Sequence, residues 1–185
     1  IELAISMFII SLLSVQIIEM LPSYYHYKRQ KETIKIFSEV IETISGYIII
    51  YEKFPCPDID NDGFQDINIH NNCSKTHGTL PWADLGAGRY DAWYNNINYA
   101  TERKITVNNF LVHASHPKFN VNNVLYNAVI WSNGLKDYEN ENENRDVDKI
   151  FTYKNYIPNS FDDVVMGIPT MPIIIYLAKT RKLPQ

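Results

Sequence analysis

A run of Ile, Leu, Met, Phe and Val from Ile1 to Leu21, followed directly by a second helical pattern, constrains what this chain can become more than any other feature. As one helix the run would rise about 30 Å, the hydrocarbon thickness of a bilayer. It predicts a transmembrane or filament-core helix over 1–21. Glu2, Gln16, Glu19 and the serines Ser6, Ser11 and Ser14 make it less apolar than a plain anchor requires. A secretory signal peptide is the competing reading, but the run has neither a basic first region nor a small-residue cleavage site.

Past Pro22, "KETIKIFSEVIETISGYIII" places Ile34, Phe37, Val40, Ile41, Ile44 and Ile48 at three- and four-residue spacing. Lys31, Glu32, Lys35, Glu39 and Glu42 fall between them, the pattern of an amphipathic helix. A helix over 22–54 is therefore expected to lay one face on a globular head. Pro22 lacks an amide hydrogen and is expected to kink or interrupt the passage between the two halves. Pro55 and Pro57 are expected to end the helix. The head is residues 55–185, where "NINYATE", "ITVNNFLVH", "VLYNAVIWS" and "DDVVMGI" read as strands of a small antiparallel sheet. The fold class is α+β: a long N-terminal helix, hydrophobic in its first half, packed on that sheet. A chain of 185 residues, 45% hydrophobic, has room for one such core and an extension. With a formal charge of -4 and scattered lysines and arginines it has no basic field, so nucleic acid is not an expected partner.

Asp58, Asp60, Asp62 and Asp66 stand as D-x-D-x-D-G-x-x-D. Alternate carboxylates around a glycine that permits a sharp turn, Gly63, direct hard oxygens at one centre, and the Phe64 carbonyl falls where an EF-hand-type loop uses backbone oxygen. The pattern reads as calcium-binding, incomplete because Ile69 stands where the bidentate glutamate belongs; the competing reading is an acidic Asx-rich turn without metal. A second acidic stretch, "KDYENENENRDVDKI", holds Glu139, Glu141, Glu143, Asp146 and Asp148. Asp146 and Asp148 are its candidate calcium ligands, against the alternative of a solvated polar loop.

Cys56 and Cys73 flank the first loop. Their even count within one short stretch permits a disulfide if the domain lies outside the cytoplasm. Zinc held with His70 and His77 is the less favoured alternative, since the spacing follows no usual finger pattern. His113 and His116 in "LVHASHP" have no accompanying nucleophile or acidic ligand pattern. With no phosphate loop, no G-x-S-x-G, no H-E-x-x-H and no C-x-x-C, the chain reads as non-enzymatic.

The apolar helix with a first-turn glutamate, "IEL" at Ile1–Leu3, resembles the type IV pilin family, including the pseudopilins of type II secretion. The ordered segments "FPCPDIDNDGFQD", "CSKTHGTLPWADLG" and "DAWYNNINYA", followed by "VIWSNG" and "FDDVV", resemble a group of pilin-like proteins over nearly the whole chain. The family's mature chains carry a few further residues ahead of this stretch and a methylated N-terminal residue. The resemblance implies cleavage by a prepilin peptidase and work with an inner-membrane assembly platform. It implies a head that lies in the periplasm before assembly, and then a cell-surface or periplasm-spanning filament of this chain or of other pilin-like subunits. It also implies that Glu2 pairs with the N-terminal amine of a neighbouring subunit, and that the region around Asp146 and Asp148 holds calcium. Cell adhesion belongs to the same set of expectations. A singly anchored extracytoplasmic binding module that never polymerises is the alternative.

Overall fold

The computed structural model describes residues 2–102, 118–135, 144, 148–158 and 160–180, without the side chains of residues 13, 15–20, 174, 177, 178 and 180. It is an α+β fold with a long N-terminal helix and an antiparallel sheet. The expected strand over 105–113, His113, His116, Glu139, Glu141, Glu143 and Asp146 lie outside the described residues.

Helix α1 runs from Glu2 to Tyr51. It passes through Pro22 without a break, where an interruption was one expectation. Pro22 is exposed, and a proline inside a helix costs one backbone hydrogen bond without having to end the helix. The helix stops at Tyr51, ahead of Pro55: Glu52 turns left-handed at φ 55 while its N–H still reaches the Ile48 carbonyl at 2.8 Å. Among the described residues, no helix is long and apolar enough to cross a membrane.

The expected amphipathic face is the one that packs. Phe37, Val40, Ile44 and Ile48 are at most 1% exposed and join Tyr99, Ala128, Ile130 and Val164 in one core. Each such side chain contributes about 2 kcal/mol of burial. Closer to the N-terminus the contact turns polar. The Gln30 side chain donates to the Lys154 carbonyl and accepts from the Tyr156 N–H, Thr33 accepts from the Ala92 N–H, and His26 stacks on Tyr156.

The main sheet is antiparallel in the order β1 (His77–Thr79), β2 (Asn98–Thr101), β5 (Ala128–Ser132), β7 (Val164–Gly167). A second sheet, which the sequence pattern does not announce, has the order β4 (Val124–Tyr126), β3 (Phe119–Val121), β6 (Ile150–Phe151), with β3 and β6 parallel. Alternation along the main sheet separates two cores: Tyr99, Ile130 and Val164 face α1, while Ala100, Val129 and Val165 meet Phe119, Val121 and Phe151 of the second sheet. Because both faces are covered, β5 and β7 read as continuous apolar runs. A short helix α2 (Trp82–Leu85) and a C-terminal helix α3 (Met171–Thr180) complete the head, α3 setting Ile173 into the α1 core.

Glu102, 8% exposed, closes the end of β2 with Lys118 at 3.3 Å and with Lys149. Burial alone would raise its carboxyl, but the two ammonium groups outweigh burial and hold it below the ordinary carboxylate range. A lowered folded pKa means that this stabilisation is present at neutral pH and is lost as pH falls through the lowered value. In thermal melts between about pH 6 and pH 3, the wild type is expected to lose stability more steeply than Glu102→Gln. Parallel curves would refute the pairing.

Candidate functional site

Directly after α1 the chain enters a buried stretch, Phe54 to Asp58, from which the aspartate loop springs. Three ties fix it. Cys56 and Cys73 are bonded, with Sγ atoms 2.10 Å apart across a separation of 17 residues. Such a closure is worth on the order of 3 kcal/mol by loop entropy. Asp58 exchanges backbone hydrogen bonds with Thr79 at 3.0 and 2.7 Å, joining the loop to β1. A Cβ on Gly78 would come 2.3 Å from the Asp58 carbonyl oxygen, so only glycine admits that approach. The third tie is Gln65, which accepts from the Cys56 N–H, donates to Asp84 and shares a hydrogen bond with the Tyr47 hydroxyl of α1. Burial, ahead of the effects of its neighbours, raises the Tyr47 hydroxyl above its ordinary pKa.

Within the loop, carboxylates accept hydrogen bonds from the loop's own backbone. Asp58, fully buried, accepts from the Asn61 N–H at 2.7 Å and from the Gly63 N–H at 2.8 Å. Asp66 accepts from the Ile59 N–H at 2.6 Å, and Asp60 from the Asp62 N–H at 3.2 Å. Gly63 holds φ 95 against the Trp82 ring, where a Cβ would come within 2.6 Å of the indole. Asn61, also left-handed, accepts from the Asn96 side chain.

Asp58, Asp60 and Asp66 each offer an oxygen within 4.8 Å of the other two. Ligands about 2.4 Å from one calcium ion lie at most about 4.8 Å apart, so the three carboxylates are close enough to share one cation. Each oxygen that accepts one N–H keeps a lone pair for a cation. Asp62 does not join this group: its carboxylate accepts from the Phe64 N–H at 2.8 Å, and both residues are exposed. Phe64 is placed only as a backbone position of the loop. Of the second candidate cluster only Asp148 is described; it is exposed and accepts from the Ile150 N–H. The cysteines, bonded to each other, leave no thiolate for a zinc set with His70 and His77, both of which are exposed.

Among the described residues, three buried carboxylates besides Glu102 were not singled out by the sequence pattern. Asp91 holds the turn before β2, Asp162 accepts from the Leu135 N–H, and Asp163 accepts from the Asn144 side chain. The signal for them was present in "DAW" and "FDD", where an acidic residue adjoins apolar ones, but it was read only as likeness or as strand. No family model matches the chain, and no curated protein or solved structure matches it either.

Proposed function

We propose that the chain is a structural subunit of a type IV pilus-like or type II secretion-like filament, held in the inner membrane with its head in the periplasm before assembly. The observation that supports this reading is the first part of α1. Leu3, Ile5, Met7, Phe8, Ile9, Ile10 and Leu12 are each more than half exposed, on the same helix that farther along stacks His26 on Tyr156 of the head. Such a surface is stable in water only when covered, first by lipid and then by neighbouring helices. Glu2 sits in the first turn of that helix. An uncompensated carboxylate in hydrocarbon is costly enough to demand a cationic partner, and this makes Glu2 a device for subunit docking.

The role is mechanical and associative, not catalytic. The apolar half of α1 forms the filament core, and the disulfide-closed head, stabilised by calcium at Asp58, Asp60 and Asp66, forms the outer surface. Glu2→Ala tests the reading. Filaments sheared from cells and counted by quantitative mass spectrometry are expected to lose the variant almost completely, while membrane fractions retain it. Undiminished incorporation of Glu2→Ala would remove its docking role. Absence of the wild-type chain from every filament, with the chain still in the membrane, would favour the singly anchored module.

A further inference from the structure

Directly beyond the apolar run, α1 reads Tyr24, Tyr25, His26, Tyr27, Lys28, Arg29, Gln30, Lys31. Gln30 and His26 turn toward the head, where Gln30 is buried and His26 stacks on Tyr156. The remainder are exposed: Tyr24, Tyr25 and Tyr27 by 63%, 57% and 48%, and Lys28, Arg29 and Lys31 as well, with Tyr25 and Arg29 at the rim of a cleft shared with Trp93 and Leu135 of the head. Tyr24, Tyr27, Lys28 and Lys31 follow the i, i+3, i+4, i+7 spacing of one helical stripe. Among the described residues none of the three cations forms an ion pair, although Glu32 lies within reach of their positions. Lys31 instead lies 4.6 Å over the Tyr27 ring. Farther along the same helix Lys35 does pair with Glu39, the ordinary arrangement of a solvated face.

We propose that this belt binds the headgroup layer of an anionic phospholipid bilayer, and that it sets the depth of α1 in the membrane before assembly. The inference rests on the anchored-subunit reading above. Its warrant is the order and spacing of three chemistries along one helix. If the apolar run fills the hydrocarbon up to Leu21, the tyrosines lie about 5–9 Å beyond it, at the outer part and edge of a headgroup layer about 5–8 Å deep. Amphipathic rings favour that layer. Lys28, Arg29 and Lys31 follow about 10–15 Å beyond Leu21, with stems long enough to reach back to phosphates. In the proposed orientation these cations are on the head side, against the bias that concentrates Lys and Arg in cytoplasmic loops. They therefore serve something other than the direction of insertion. Complementary charge on lipid phosphates supplies that use, and three cations near an anionic surface strengthen binding about a hundredfold.

The test lets the full chain equilibrate between two competing vesicle populations, one of phosphatidylcholine alone and one of phosphatidylcholine mixed with phosphatidylglycerol, separated by flotation. The wild type is expected to favour the anionic vesicles by about a hundredfold, less so at high salt. The triple variant Lys28→Gln, Arg29→Gln, Lys31→Gln is expected to distribute almost evenly. Lys35→Gln, a control on the same helix, should behave as the wild type does. An even distribution of the wild type, or an unchanged preference in the triple variant, overturns the belt and leaves the anchor reading standing. A chain found in neither population overturns both.

Discussion

Asp58→Ala is expected to lower the melting temperature by about 10 °C in calcium-free buffer and to abolish any further rise when calcium is added. The first effect follows from burial. The Asp58 carboxylate is the acceptor for the N–H groups of Asn61 and Gly63, and Gly63 is itself buried under Trp82. Removing a charged acceptor strands those donors at about 3 kcal/mol in total, and in a chain of this size each kcal/mol shifts the melting point by roughly 2–4 °C. The second effect separates scaffold from ligand. Asp60 is exposed and accepts one hydrogen bond, from Asp62. Asp60→Ala should therefore leave the calcium-free melting point nearly untouched while removing most of the calcium response. In the wild type, calcium at a hundred times its dissociation constant adds about 2.7 kcal/mol. Differential scanning calorimetry with and without chelator reads all three proteins. A wild type that does not respond to calcium would sink the metal site, and the calcium-free loss in Asp58→Ala would still stand as a measure of the turn.

This division explains what was legible in advance. The spacing of Asp58, Asp60 and Asp66 around Gly63 is local, and local geometry is what a sequence pattern encodes; their convergence follows from it. Asp62 belongs to the same spacing, yet its carboxylate turns to the Phe64 N–H. Period alone does not distinguish a carboxylate that faces a centre from one that caps its own turn. The α1 face was legible for a similar reason, since Phe37, Val40, Ile44 and Ile48 repeat with the helix.

What the sequence hid depends on distant partners. Strand β1 is only His-Gly-Thr, a poor strand by propensity, and exists because it pairs with β2 on one side and bridges to Asp58 on the other. Strand β6 is two residues long and is defined by a parallel neighbour at β3, far back in the chain. Helix α3 carries Pro172 and the β-branched Ile173, Ile174 and Ile175, a composition that argues against helix. Pro172 is tolerated because it lies in the first turn, where its missing N–H would have had no helical partner. Gly167 similarly reads as an ordinary strand residue, whereas a Cβ there would stand 2.2 Å from the Tyr126 ring of the second sheet.

Asp91→Ala should be the most damaging single change in the head, at about 4 kcal/mol. Asp91 is 4% exposed, and one carboxylate oxygen accepts from the N–H groups of Trp93 and Asn95, both at 2.8 Å. The other accepts from the Ser132 hydroxyl at the end of β5. The same turn presents the Ala92 N–H to Thr33 of α1 and buries Trp93 in the helix core. One side chain thus joins the helix, the turn and the main sheet, and its loss should spread where that of Asp58 stays within its loop. Asp91→Asn keeps an acceptor but loses the charge, and is expected to fall between alanine and the wild type. Urea unfolding gives the free energies, and amide exchange locates them: protection from Phe37 to Ile48 should drop in Asp91→Ala and hold in Asp58→Ala. Equal protection along α1 in the two variants would show that Asp91 stabilises only its own turn, and that the apolar contacts of Phe37, Val40, Ile44 and Ile48 hold the helix to the sheet unaided.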